Sequence, residues 1–391
     1  MKVLVLGGAG TYGHLTAQVL ASSGLVSEIV IAGRNLAAAE QTAYDLGAKA
    51  VAAQVDVLEE GRLSALAAGS DLIINAAGPE FRVVLPALRE AIRANVDYCD
   101  LCALGSITEQ ALALDGAAKD AGITAIVGTG FFALTGPMAA HAARQLDAAE
   151  DVRVCWFLPA PLFGYEAKET LEEWRALGHA DMSWQCIMAQ AAGKVRVYRD
   201  GDWASADPLE DAIRVRLPHG DEVTADPLSF PEPVSLPRTL TSVSSASAVT
   251  SFFPPSIGEV YCGCGRRLAA GELDESQAAF AFFEYLAAHP EEPTPRPKGG
   301  ESGMLVWAEA IGTKDGRRVC HKCWPVGDWE STQGPLAAVA FKLLRGEIDA
   351  KGVLAPEACL DPLPFFAEAA KYGGERPKQD RLIDEYTEVL E

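Results

Sequence analysis

The sequence predicts an α/β protein: a doubly wound parallel sheet over the first 150 residues, then a second domain of α+β character. Three observations predict it. Six short apolar runs alternate with five amphipathic segments of helical length before residue 130. The first run ends in a glycine-rich turn that opens the first helix. After residue 150 the alternation stops, and strands of mixed polarity replace it.

Residues 2–6 are an apolar strand, and 12–23 a helix with Leu15, Val19 and Leu20 on one face. Strand 28–32, helix 36–46, strand 50–57 and helix 60–68 follow. Then come strand 71–76, helix 83–94, the short strand 98–101, helix 107–121 and strand 124–127. Strands separated by helices need crossover connections and so pair in parallel. Their unbroken apolar character fits burial on both faces. Beyond residue 150, strands are expected at 152–158, 195–198, 213–217, 304–311 and 317–324. Lys314-Asp315-Gly316 is a hairpin turn between the last two. Helices are expected at 166–177 and 275–288. The proline-rich stretches 227–237 and 289–300 are expected to be loops or linkers, either suited to a mobile lid.

The chain has 391 residues, enough for two domains, and its 22% charged residues are ordinary for a globular protein. A formal net charge of −21 repels phosphate backbones and anionic lipid, which argues against nucleic acid and membrane surfaces as partners. No apolar run approaches the length of a membrane span, and the N-terminal one is too short for a signal peptide. Nine cysteines, an odd number, point to reduced thiols and a cytoplasmic setting.

Gly8-Ala9-Gly10-Thr11-Tyr12-Gly13 fits G-x-G-x-x-G between a strand and a helix. Gly8 is expected to make the tight turn, Gly10 to admit a pyrophosphate, and Gly13 to pack the helix on the strand. The helix N-terminus then offers free N–H groups and a positive dipole end to the phosphates. At the end of the second strand an NAD site usually carries a carboxylate for the ribose 2′-hydroxyl. Here Ala32-Gly33-Arg34-Asn35 has none, and Arg34 is suited to pair with a 2′-phosphate and stack on adenine, which favours NADP, against a surface arginine capping the next helix. Asp56 is expected near the adenine or as a cap of the next helix. Asn75-Ala76-Ala77-Gly78-Pro79 ends the fourth strand in small residues, as needed where backbone runs along a cofactor.

These segments resemble the saccharopine dehydrogenase family of NADP-binding reductases. The matching pieces are the glycine turn at 7–13, Ala-Gly-Arg at 32–34, Asn-Ala-Ala-Gly-Pro at 75–79 and Asp97-Tyr98-Cys99-Asp100-Leu101. Near the C-terminus, Thr332-Gln333-Gly334-Pro335 runs to Leu343-Leu344-Arg345-Gly346, and Gly352-Val353-Leu354-Ala355-Pro356-Glu357 is similar to the family's Gly-Val-x-x-Pro-Glu ending. The resemblance implies a Rossmann domain at 1–150 onto which 330–360 returns. It also implies an inserted substrate and dimerisation domain at 151–329, hence a homodimer. Residues 361–391 are expected to be tail helices. The implied reaction is hydride transfer between nicotinamide and the C=N or CH–NH of an amino-acid-derived imine or amine. Gly128-Thr129-Gly130-Phe131-Phe132 departs from the family's Pro-Gly after the sixth strand; its two phenylalanines suit an apolar pocket or the core.

Asp100, at the end of a strand, is the first catalytic candidate: a carboxylate there can hold an amine or relay its proton. Tyr98 lies two residues earlier on the same face, as proton donor or core residue. Arg82 and Lys168 are candidates for holding a substrate carboxylate, Lys168 also for acting as an acid, against ordinary surface roles. His141, on an apolar helix, is expected to be a satisfied core histidine. Cys262-Gly-Cys264 has poor zinc spacing and Cys320-His-Lys-Cys323 falls in an expected strand rather than a loop, so no metal is expected and partly buried free thiols are the default. Two alternatives stay open: carbonyl reduction with the same cofactor, and a non-catalytic dinucleotide sensor.

Overall fold

The computed structural model describes residues 1–159, 167–289, 296–300, 303–326, 332–373 and 382–390. The chain opens with β1 (Lys2–Leu6), α1 (Thr11–Ser22), β2 (Glu28–Gly33), α2 (Leu36–Leu46), β3 (Ala50–Gln54) and α3 (Arg62–Ala67). It continues through β4 (Leu72–Asn75), α4 (Glu80–Ala94), β5 (Asp97–Asp100), α5 (Gly105–Leu112), α6 (Asp115–Asp120), β6 (Thr124–Ile126) and α7 (Phe132–Arg144). Next come β7 (Ala148–Pro159), α8 (Ala167–Leu177), α9 (Met182–Ala189), β8 (Val195–Arg199), β9 (Asp202–Ala206), β10 (Ile213–Arg216) and β11 (Glu222–Pro227). Then follow α10 (Glu232–Thr239), β12 (Ser245–Phe253), α11 (Pro255–Ala269), α12 (Glu275–Ala288), β13 (Leu305–Lys314) and β14 (Arg317–Pro325). The chain ends with α13 (Gln333–Leu344), β15 (Gly352–Leu354), α14 (Pro356–Cys359), α15 (Pro362–Gly373) and β16 (Ile383–Val389).

Two compact units result. One comprises Met1–Ala103, Ile107–Pro137 and Val326–Ile383, the other Leu104–Ser106, Met138–Pro325 and Asp384–Glu391. The first holds a seven-stranded sheet in the order β15-β6-β5-β4-β1-β2-β3, with every pairing parallel. Its first six strands follow the doubly wound order 3-2-1-4-5-6. The seventh, β15, comes from the C-terminal segment, so this sheet is closed by residues more than 200 positions further along. Alternate residues feed the two faces. Leu4, Leu6, Val30, Ile73, Tyr98 and Ala125 join Leu63, Leu88, Leu112 and Ala118 of α3–α6 in one buried cluster. Val3, Val5, Ile29, Ile31 and Ile74, which alternate with them along the strands, are also fully buried. Both faces are therefore covered, and the apolar runs are explained.

The second unit holds a nine-stranded mixed sheet in the order β10-β11-β12-β7-β13-β14-β16, with the β8–β9 hairpin branching from β12. β12 and β7 run parallel, while the β10–β11, β11–β12, β7–β13 and β13–β14 pairs are antiparallel. Asp315 and Gly316, at φ 50° and 71°, make the tight turn expected between β13 and β14. Lys322 Nζ of β14 donates to the Arg216 carbonyl at the end of β10 at 2.9 Å, so the sheet curls until distant strands meet. Phe157, Leu217, Val249 and Trp307 fill the inside of that curl. The helix expected at 275–288 starts on a capping box, with Gln277 N donating to Asp274 Oδ1 at 2.7 Å and Asp274 N to Gln277 Oε1 at 2.9 Å.

Several expectations need correction. The stretch 227–237 is not a loop or lid: α10 forms from Glu232, and Pro233, Val234 and Leu236 are buried. Proline costs nothing in a first helical turn, whose N–H groups lack intrahelical partners. Most of the other proline-rich stretch lies outside the described residues. The helix expected at 107–121 breaks into α5 and α6, where Asp115 Oδ1 turns to accept the Val353 N–H of β15 at 3.1 Å. The end of the chain is not helical throughout, since β16 is a strand with Ile383 buried and its residues alternately half-buried and exposed. Among the described residues no helix is long and apolar enough to cross a membrane.

Candidate active site

The carboxyl ends of β1, β2, β4, β5 and β6 lie along one edge of the first unit's sheet and bring most of the expected site residues together. After β1 the chain turns sharply at Gly7, whose φ of 75° is left-handed. A Cβ on Gly7 would stand 2.6 Å from the Ala77 nitrogen, so the turn passes directly against the end of β4. The left-handed residue is thus Gly7, one position before the glycine expected to make the turn. Gly13 has the expected packing role, since a Cβ there would lie 2.3 Å from the Gly7 carbonyl oxygen.

Gly10 differs from both. Its φ of −83° is open to any residue, and a Cβ would meet only the Gly7 oxygen, at 3.3 Å. Its backbone does not require glycine, and a side chain there would press only on the Gly7 carbonyl. Gly10, Thr11 and Tyr12 are exposed, and no side chain caps α1. The first-turn N–H groups and the positive helix end therefore face open space, which suits a phosphate.

Gly33, at the end of β2, repeats the pattern: a Cβ would meet nothing within 4 Å, and its φ is not left-handed. Arg34 is exposed and forms no ion pair among the described residues. Asn35 caps α2, accepting the Ala38 N–H at 3.1 Å. From the neighbouring strand, Val55 N donates to the Gly33 carbonyl at 3.0 Å, and Gln54 Nε2 to the Arg34 carbonyl at 3.0 Å. β3 ends at Gln54, so Asp56 follows the strand, where its Oδ1 accepts the Leu58 N–H at 3.0 Å.

Asp100 ends β5 and is fully buried. Its Oδ1 accepts N–H groups from Gly128 at 2.8 Å and Cys102 at 2.9 Å. Its Oδ2 has no hydrogen-bond partner among the described residues. Burial raises the carboxyl from 3.8 to about 6, against the opposing pull of the two N–H groups and the nearby Tyr98 hydroxyl. Tyr98 is fully buried within the core on that face, so it stands behind Asp100 rather than at a surface. Its hydroxyl accepts from Asn75 Nδ2 at 3.0 Å, and Asn75 Oδ1 accepts the Ala77 N–H at 3.1 Å. Burial, then the Asp100 charge, pushes the phenol pKa well up. Thr129 Oγ1 and N donate to the Asp100 carbonyl at 2.6 and 2.7 Å. Glu80, in the first turn of α4, accepts the Ala103 N–H and so ties the β4 and β5 loops together.

Ala76, Ala77 and Gly78 are half-buried on the same edge. Arg82 is close by in sequence, exposed, with its guanidinium 5.8 Å from the Phe81 ring centre. Lys168 belongs to the other unit, where it stands exposed on α8 over a shallow groove with Leu171, Glu172 and Glu284. Tyr165 and Glu166, which precede it, lie outside the described residues. His141 also belongs to that unit and is satisfied by Glu385, with Nε2 and Oε2 2.8 Å apart. All nine cysteines are free. Burial pushes the thiols of Cys262, Cys264 and Cys323 up, and that of Cys320 to about 12, so they are held protonated. Gly7, Asn75 and Gly128 were quoted within motifs but not singled out, although each sits at or just past a strand's carboxyl end, which is the signal that could have found it.

The arrangement fits a dinucleotide: an exposed glycine at Gly10, Gly33 with open space where a Cβ would stand, the end of α1 without a side-chain cap, and a cation, Arg34, outside any ion pair among the described residues. The family model of the saccharopine dehydrogenase NADP binding domain matches residues 3–126. Over 405 aligned residues the chain is 25% identical to carboxyaminopropylagmatine dehydrogenase of Synechocystis sp. (strain ATCC 27184 / PCC 6803 / Kazusa), covering 95% of this chain and 96% of that protein. Its fold is similar to that of apo saccharopine dehydrogenase (L-Glu forming) from Saccharomyces cerevisiae, with a TM-score of 0.63 at 15% identity over 99% of both chains. It is also similar to homospermidine synthase from Legionella pneumophila in complex with NAD, with a TM-score of 0.55 at 10% identity over 98% of this chain and 91% of that one. By sequence the N-terminal domain is thus similar to the saccharopine dehydrogenase NADP binding domain, and by fold the chain is similar over its whole length to saccharopine dehydrogenase.

Proposed function

We propose that the chain reduces an imine formed between an amino-acid-derived carbonyl compound and an amine, or oxidises the corresponding secondary amine, with NADP(H). The observation that carries this is Asp100: one oxygen is fixed by two backbone N–H groups, and the other is buried near the Tyr98 hydroxyl with no hydrogen-bond partner among the described residues, on the sheet edge that also ends in the glycine turn. The names of the similar proteins, a carboxyaminopropylagmatine dehydrogenase and a saccharopine dehydrogenase, support a C–N bond as the target. Residues 8–13 with the end of α1 would hold the pyrophosphate, Arg34 the 2′-phosphate, and Ala76 to Gly78 the backbone flank. A bound nicotinamide supplies or takes up the hydride.

The proton is the chain's own task. In the oxidative direction the substrate nitrogen must lose its ammonium proton before the C–H bond on the adjoining carbon can release hydride. Asp100 Oδ2 accepts that proton, and in the reductive direction returns it to the new amine. A carboxyl held near 6 is far better matched to such exchange at neutral pH than one at 3.8. We further propose a homodimer in the cytoplasm; the family resemblance supports the first, and nine free thiols the second.

The test is NADPH consumption with 2-oxo acids and amines, singly and in pairs. Turnover is expected only with both present. Turnover without amine would make the enzyme a carbonyl reductase instead. Asp100→Asn is expected to lower kcat/KM by roughly 100-fold or more; unchanged kcat/KM would remove Asp100 from the mechanism.

A further inference from the structure

We propose that Gln54 is the positioning residue that lets Arg34 distinguish a 2′-phosphate from a 2′-hydroxyl. The inference rests on the NADP reading and goes beyond it, because Gln54 would not touch the cofactor in this role. Gly33, which ends β2, and the two residues after it are all held by hydrogen bonds. The Gly33 carbonyl is held by Val55 N, the Arg34 carbonyl by the Gln54 amide, and Asn35 by its own cap on α2. The register that pairs Gly33 with Gln54 brings the amide there. Arg34 is thus fixed at its backbone while its long side chain, exposed and outside any ion pair among the described residues, remains available. An arginine with a fixed base loses less freedom when it grips an anion, and its selectivity for one geometry rises accordingly.

The side chain at 54 must also be neutral. A carboxylate within reach of the Arg34 backbone would attract the guanidinium and repel a phosphate. Asp56, the next acid along the chain, has one oxygen engaged by Leu58 N–H in a local turn. Gln54 therefore does two things at once: it donates where a hydrogen bond fixes the turn, and it adds no negative charge beside the phosphate position.

NADPH and NADH dissociation constants, measured by fluorescence titration on the full chain, test this. Gln54→Leu is expected to weaken NADPH about fivefold, the worth of one neutral hydrogen bond, and to leave NADH within about twofold. Gln54→Glu, similar in size but charged, is expected to weaken NADPH roughly 50-fold with a far smaller effect on NADH. In an Arg34→Ala background, Gln54→Leu should change NADPH affinity no further, because its effect runs through Arg34. Equal weakening of both cofactors by Gln54→Leu, or full additivity with Arg34→Ala, would show a merely structural role and overturn the inference. If Arg34→Ala itself weakens both cofactors equally, the NADP reading fails instead, so the two failures are distinguishable.

Discussion

Asp100 is a single buried carboxyl whose burial bears on stability and, in the proposed mechanism, on activity. Its folded pKa of about 6 exceeds the ordinary 3.8, so the folded protein keeps the Asp100 proton to higher pH than the unfolded chain does. Its contribution is therefore most favourable below about pH 4 and is lost as pH rises toward 6, at a cost of about 3 kcal/mol when fully ionised. Asparagine keeps the acceptor for Gly128 and Cys102 and removes the charge. Asp100→Asn is accordingly expected to be the more stable protein at pH 7.5, with the advantage shrinking toward pH 4.5. Urea unfolding at the two pH values measures it. A variant uniformly less stable at both would mean that the open oxygen already has a favourable partner in the folded state. The expected trade of stability for activity is common where a site holds an unfavourably buried charge.

At the scale of elements, β16 is held by side chains as well as by its place beside β14. Glu385 of β16 lies 2.8 Å from His141 Nε2 of α7 and 3.3 Å from His321 Nε2 of β14, while His321 Nδ1 lies 2.9 Å from Thr387 Oγ1. Burial lowers the His321 pKa, and the His141 and Lys314 charges act in the same direction, outweighing Glu385. Burial alone would raise Glu385, but the hydrogen bond and charge of His141, with those of His321, leave it lowered. A depressed histidine stabilises the fold above its unfolded pKa of about 6.5 and loses that contribution as pH falls. Hydrogen exchange, corrected for intrinsic rates, should therefore show β16 losing protection between pH 7 and pH 5 while β7 and β12 keep theirs. His321→Gln should flatten the β16 response; an unchanged response would assign it to another group. This strand was hard to find in the sequence because Ile-Asp-Glu-Tyr-Thr-Glu-Val buries only Ile383 fully, leaving a weak alternation among charges. β12 was hidden for a different reason. Ser245-Ala-Ser-Ala-Val-Thr-Ser-Phe-Phe is mostly small and hydroxylic, yet it is largely buried beside β7, where packing overrides propensity. The first sheet was legible because each strand and helix there carries its own period. The glycine turn and Asp100 were legible as residue types at strand ends, whereas Gln54 and Asn75 act through contacts with positions about 20 residues away, which periodicity does not encode.

At the scale of the whole molecule, charge and cofactor oppose each other. The formal net charge is −21, and an anionic dinucleotide is repelled at long range. On the proposed binding mode the sign reverses at contact, because the end of α1 and Arg34, outside any ion pair among the described residues, would present positive charge. Salt separates the two contributions by distance. The screening length falls from roughly 30 Å at 0.01 M to roughly 8 Å at 0.15 M ionic strength. The long-range repulsion is thereby largely removed, whereas a charge pair at hydrogen-bond distance is only weakened. The association rate of NADPH is therefore expected to rise several-fold over that range, and its dissociation rate to rise as well, through the loosened Arg34 contact. Stopped-flow quenching of protein fluorescence resolves both rates. In Arg34→Ala the rise in association rate should persist, because it comes from the whole charge distribution, while the salt dependence of dissociation should shrink. If association instead slows with salt, the local field at the glycine turn and Arg34 governs the approach, and Arg34→Ala should then abolish that slowing.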